Sequence, residues 1–178
     1  MIMKTKYLCF LLAIALISCK KETCPADWLM FESTQFNVCY PSNWEPNDNG
    51  LMGSELVLID MNNAADLGFG RNVNIIKQHQ SYFPQLKNLD DYASFSKDQM
   101  SDYLEGVEII AFEKTKIGVL DTYKSVMRAN QNGRELYFVQ HYFIHGDHYF
   151  VATFTTTNDD TPEHKKAGEQ ILGTIKMR

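Results

Sequence analysis

Glu135-Leu136-Tyr137-Phe138-Val139-Gln140-His141-Tyr142-Phe143-Ile144-His145-Gly146-Asp147-His148-Tyr149-Phe150-Val151-Ala152-Thr153-Phe154 is the stretch on which the fold turns. Aromatic and β-branched residues of this kind favour strands, and Gly146-Asp147 is a two-residue turn signal between two of them. With the turn there, His145 faces His148, Phe143 faces Phe150, His141 faces Ala152 and Val139 faces Phe154. Successive side chains leave a strand on opposite sides, so the other face carries Phe138, Tyr142 and Ile144 with Tyr149 and Val151. Both faces are rich in apolar and aromatic groups. An antiparallel sheet with one wet face would show a polar side instead. The hairpin therefore calls for cover above and below. The expected architecture is α+β, a three-layer α/β/α sandwich around a mainly antiparallel sheet.

Neighbouring segments extend that sheet. Residues 120–130 and 135–144 flank Asn132-Gly133, the strongest two-residue hairpin signal, and residues 107–112 read as a further strand. Earlier in the chain, residues 35–40 alternate around Phe36, Val38 and Tyr40 and stop at Pro41-Ser42-Asn43. Residues 55–60 form a short apolar run and residues 72–77 another strand, while the polar, glycine-bearing residues 45–53 read as a loop. Between residues 88 and 104 the period changes. Leu89, Tyr92, Ala93, Met100, Tyr103 and Leu104 fall on a helical stripe, with Asn88 as its cap and Asp91 three residues on. Thr161-Pro162-Glu163 opens a last helix, with threonine capping and proline in the first turn, running to about Gly173. Residues 174–177 read as a terminal strand or a frayed tail.

The N-terminus carries an address. Lys4 and Lys6 precede an apolar run from Tyr7 to Ile17, the charged-then-greasy pattern of a secretion signal. That run is too short for the roughly 20 residues of a spanning helix. It ends in Leu16-Ile17-Ser18-Cys19, which resembles the lipobox of bacterial lipoproteins through Leu16, Ser18 and Cys19. The resemblance implies cleavage before Cys19, a thioether diacylglycerol on its sulfur and acylation of the new amino group. Each buried methylene contributes about 0.8 kcal/mol, and more than one chain is needed for stable anchoring. The expected organisation is a signal peptide over 1–18, a lipid-anchored tether over 19–26 and one domain over 27–178. Lys20 after the cysteine resembles outer-membrane sorting; periplasmic and surface faces both stay open.

Four cysteines remain to be placed. Cys9 falls in the signal and Cys19 takes the lipid. Cys24 and Cys39 are left as an even pair in a compartment where disulfides persist. A structural bridge, two free thiols and a redox pair are the alternatives. The spacing, unlike Cys-x-x-Cys, argues against redox work and favours the bridge.

Strand order and motifs together resemble the PsbP-like superfamily, which includes bacterial DcrB-type lipoproteins. The likeness lies in Phe36-Asn37-Val38-Cys39-Tyr40-Pro41-Ser42-Asn43-Trp44, Asn72-Val73-Asn74-Ile75, the helix near Leu89 and Tyr92, Ile117-Gly118-Val119-Leu120, the aromatic hairpin and the closing Ile171-Leu172. It implies the fold. It carries over no catalytic residues, because members of the superfamily share none.

Chemistry is sparse. The net charge is -5 without a basic block, which excludes the electrostatic footprint of a nucleic-acid binder. No catalytic residues and no cofactor are implied: nucleophile-elbow, zinc-protease and phosphate-loop motifs are all missing from the sequence. Gly68-Phe69-Gly70 is a lone G-x-G. His145 and His148 flank a tight turn with Asp147 beside them, the one place where a metal could be held, yet zinc wants three or four ligands and an exposed polar turn accounts for them. Asp90/Asp91 and Asp159/Asp160 sit at helix starts, where negative charge complements the dipole. Trp28 and Trp44 read as core or sheet-edge aromatics rather than a sugar platform, and the polar loop over 61–70 is a location for function without a chemistry. The reading is a non-enzymatic envelope lipoprotein that meets the membrane through its anchor and binds an unidentified protein or small molecule. The alternative is a hydrolase-like envelope enzyme with a dispersed site.

Overall fold

A computed structural model of the protein describes residues 23–64 and 69–178. The expected secretion signal and Cys19, the expected site of lipid attachment, lie outside the described residues, as does the middle of the 61–70 loop. The chain runs β1 (Trp28–Glu32), β2 (Phe36–Pro41), β3 (Trp44–Asn47), β4 (Leu56–Asp60), a single turn α1 (Met61–Ala64), β5 (Asn72–His79) and α2 (Leu89–Tyr103). It continues through β6 (Glu105–Ile117), β7 (Leu120–Gln131), β8 (Arg134–His145), β9 (His148–Thr157), α3 (Pro162–Gly173) and β10 (Lys176–Met177).

Seven strands form an antiparallel sheet in the order β3-β4-β5-β9-β8-β7-β6. The register of β8 on β9 is the one read from sequence: His145↔His148, Phe143↔Phe150, His141↔Ala152 and Val139↔Phe154. At the β7–β8 turn Asn132 and Gly133 both have positive φ, 53° and 78°, as the primed hairpin turn requires. One face of the sheet packs Val139, Phe143, Phe150 and Phe154 against Ile171 and Leu172 of α3. The opposite face packs Tyr142 and Tyr149 against Tyr92 and Ala93 of α2. The expected α/β/α sandwich is the architecture observed.

The sequence reading missed three features. A second sheet, β1-β2-β10, lies beside α3 in the same layer. The segment read as a loop over 45–53 begins with β3, which is paired to β4. Pro46 hid that strand, since proline is tolerated where a strand forms the sheet edge. The strand expected over 107–112 extends to 13 residues, with register shifts between Glu105 and Glu108 and between Ile109 and Ala111.

Two devices hold the α3 layer in place. Cys24 and Cys39 are joined by a disulfide that ties the chain before β1 to β2. The Thr174 hydroxyl, just past α3, accepts from the Cys39 N–H at 2.9 Å and donates to its carbonyl at 3.1 Å. α3 itself crosses the sheet at Gly168, where a Cβ would meet the Phe154 ring at 2.3 Å. Only a residue without a side chain lets this helix lie so close.

Candidate functional site: a polar cleft under helix α2

Alternation along β5 places Val73 and Ile75 in the core and turns Asn72, Asn74 and Gln78 to the α2 side. Strand pairing then sets Asn74 opposite Thr153, Thr153 opposite Gln140 and Gln140 opposite Ser125. A row of amides and hydroxyls thus crosses four strands on a face that is otherwise largely apolar. Gln140 is buried and fixed: its Nε2 donates to Thr153 Oγ1 at 3.1 Å, and its Oε1 accepts from the Tyr142 hydroxyl. Asn74 Oδ1 is buried with no hydrogen-bond partner. Buried polar atoms are paired in the great majority of cases, and an orphan calls for a ligand, water or functional explanation.

Helix α2 packs mainly over β8, β7 and β6. Towards β9 and β5 its C-terminal half stands over the polar row, leaving a cleft of about 470 Å³. Ser96, Gln99, Met100 and Tyr103 form the helix wall; Asn72, Asn74 and Gln78 line it from β5; Phe69 and Phe138 close one end. Among the described residues the lining contains amides, hydroxyls, thioether and aromatic rings, and no carboxylate, imidazole, thiol or ammonium group. Burial pushes the Tyr142 phenol up, well above its ordinary range, so it stays neutral and donates. A hollow of about 660 Å³ on the small sheet, near Cys24 and Met177, is larger. It lacks such a convergent set of buried polar groups, and the α2 cleft is the better site on chemistry.

The residues singled out from sequence disperse. His145 does not join His148 at a metal-like site; its Nε2 donates to the Arg178 carbonyl at 3.0 Å. The turn brings His79 to His148 and Asp147 instead. His79 comes from β5, 68 positions before Asp147, so spacing within the hairpin could not reveal it. His141 is buried on the α3 face with Nδ1 3.1 Å from Thr122 Oγ1. Burial, then the nearby Lys124 charge, pushes its pKa down to about 4. Asp90 and Asp91 stand in the first turn of α2, where Asn88 Oδ1 accepts from the Asp91 N–H at 2.9 Å.

Asp160 is more than a capping charge, and here the sequence reading is corrected. It meets Arg71 Nη1 at 3.3 Å, and Arg71 Nε reaches Asp60 at 3.0 Å. Burial alone would raise the Asp160 carboxyl, but Thr156, His164, the Thr161 N–H and Arg71 outweigh it and hold it below the ordinary value. The cluster clamps the end of β9 to the β4–β5 connection. Trp44 is a core residue and Trp28 packs at its margin, as expected. The polar row itself was legible in principle, in Asn72 and Asn74 alternating with Val73 and Ile75. It gained meaning only once four strands were aligned.

A long antiparallel sheet between α2 on one side and α3 with a small sheet on the other defines the PsbP-like fold. Solved structures with this architecture align over most of the chain. The cyanobacterial PsbP (CyanoP) of Synechocystis sp. PCC 6803 is 14% identical, with a TM-score of 0.63 over 88% of this chain and 98% of its own. LpqN, involved in cell envelope biogenesis of Mycobacterium tuberculosis, is 10% identical, with a TM-score of 0.65 over 84% of this chain and 90% of its own. PA94 of Pseudomonas aeruginosa, a putative regulator, is 16% identical, with a TM-score of 0.58 over 85% and 97%. At these identities the likeness is one of fold. No family model matches the sequence, and no curated protein resembles it in sequence.

Proposed function

We propose that the chain is a lipid-anchored protein of the bacterial envelope that binds a small, uncharged, hydrogen-bonding ligand in the cleft under α2, in a non-enzymatic accessory role. The observation that carries the ligand reading is the buried, unpartnered Asn74 Oδ1 in a row of amides and hydroxyls. A ligand hydroxyl or amide N–H would satisfy it, and a site built to hydrogen-bond rejects ligands that cannot. The uncharged lining favours neutral molecules over ions. It also supports recognition rather than hydrolysis, which needs groups whose pKa values lie near the working pH.

The anchor reading rests on the leader and on Leu16, Ser18 and Cys19. No helix of the described residues is long and apolar enough to cross a membrane. The envelope role of LpqN is in keeping with this compartment, and the outer membrane is the favoured side on the strength of Lys20. Mass spectrometry of the protein from its native membrane should find Cys19 as an acylated N-terminus; an unmodified N-terminus elsewhere contradicts the anchor. The cleft is tested by titrating the full chain in detergent with neutral sugars, polyols and amides, and with anionic counterparts, while amide NMR signals are followed. Neutral compounds are expected to shift Asn74, Gln140 and Thr153, and Gln140→Leu to weaken binding at least tenfold, about 1.4 kcal/mol. Shifts confined to other surfaces refute the cleft.

A further inference from the structure

His79 and His148 stand directly opposite one another where β5 pairs with β9. The β8–β9 turn brings Asp147 between them. Asp147 Oδ2 lies 3.0 Å from His79 Nε2, and Oδ1 lies 2.5 Å from His148 Nδ1. The three donor atoms all fall within 4.8 Å of one another. We propose that His79, Asp147 and His148 form a binding site for a divalent transition-metal ion of the zinc type.

Donors bound to one tetrahedral zinc ion at about 2.0–2.1 Å stand about 3.3 Å apart, so small ring rotations suffice to close the set. Two imidazoles and a carboxylate are borderline ligands suited to zinc, cobalt or nickel rather than to magnesium or calcium. The scaffold is firm. His79 and His148 are held by the strand ladder, and the turn is pinned by the Gln80 N–H donating to the Asp147 carbonyl at 2.9 Å. Gly146 adopts φ 58°, which aims the turn so that Asp147 reaches back over both rings.

A partner for the outward nitrogen of His79 is also present. His79 Nδ1 accepts from the Ser81 N–H at 3.1 Å, which leaves the proton on Nε2, pointing at Asp147. With a metal on Nε2, the ring carries its proton on Nδ1. There Ser81 Oγ, at 2.8 Å, is the acceptor, the kind of outer partner that fixes a ligating imidazole. Side-chain exposure of 42% for His79, 23% for His148 and 68% for Asp147 gives an ion free entry from solvent. Three protein ligands leave a fourth position for water or for a donor from another molecule. The site shares no residue with the polar cleft and stands independently of it.

Calorimetric titration of the full chain in detergent with zinc chloride provides the test. One equivalent is expected to bind, with affinity lowered at least tenfold by His79→Asn, by His148→Asn and by Asp147→Asn, and unchanged by His145→Asn. Cobalt(II) added to the unsubstituted chain should broaden the imidazole NMR signals of His79 and His148 and spare those of His141 and His164. No zinc heat, binding that survives the double change His79→Asn with His148→Asn, or cobalt broadening centred on other histidines overturns the assignment.

Discussion

Acidification should weaken the fold through one buried imidazole. His141 is 8% exposed, sits on the α3 face of β8 and has Nδ1 3.1 Å from the Thr122 hydroxyl. Burial and Lys124 push its pKa from 6.5 down to about 4. Between those values the unfolded chain binds a proton that the folded chain refuses, so stability rises with pH in that window. The contribution is complete above about pH 7, falls as pH drops through 6.5 and levels off near 4. A difference of about 2.5 units at 1.36 kcal/mol per unit is about 3 kcal/mol. Urea unfolding of the native chain and of His141→Gln, followed by tryptophan fluorescence from pH 8 to 4, measures it. Asp147 and Asp160, whose carboxyls are also held low, titrate in both proteins and cancel in the comparison. The native chain should lose about 3 kcal/mol relative to the variant between pH 7 and 4. A stability difference that does not change with pH would mean that His141 takes up its proton as readily folded as unfolded, and the argument from burial would fall.

Two further outcomes follow from packing and covalent geometry. Gly168→Ala should cost about 1–3 kcal/mol, because the new methyl meets the fully buried Phe154 ring and neither α3 nor β9 can retreat freely; denaturant melts that match the native chain would contradict the close approach. Replacing both Cys24 and Cys39 by serine should lower stability by about 3 kcal/mol, the chain-entropy value for a loop of this length. Equal midpoints for the native and serine chains under non-reducing conditions would show that the bridge does not form.

Local pattern was enough to read the sheet and its two helices. A strand's period of two and the two-residue turns at Asn132-Gly133 and Gly146-Asp147 are properties of neighbours in the chain, and they set the register of β7, β8 and β9. The aromatic content of both faces then required cover on each side, which α2 and α3 provide. The caps Asn88 and Thr161 were equally legible, since a capping side chain bonds an N–H only three residues away. The edge strand β3 and the small sheet were not. Their pairing depends on partners distant in the chain, as when β10 joins β2 at Lys176↔Asn37.

The amino-acid sequence by itself determined the helices, the central hairpins and the acidic net charge, because each rests on contiguous residues or on composition. Tertiary structure alone decided which polar groups meet. It put Asn74, Thr153 and Gln140 in one row, His79 beside Asp147 and His148, and Arg71 between Asp60 and Asp160. Each of these sets joins positions separated by tens of residues, and hydrogen bonds and ion pairs act only across a few ångströms. Until the strands are laid side by side, no rule of local spacing can bring such groups together.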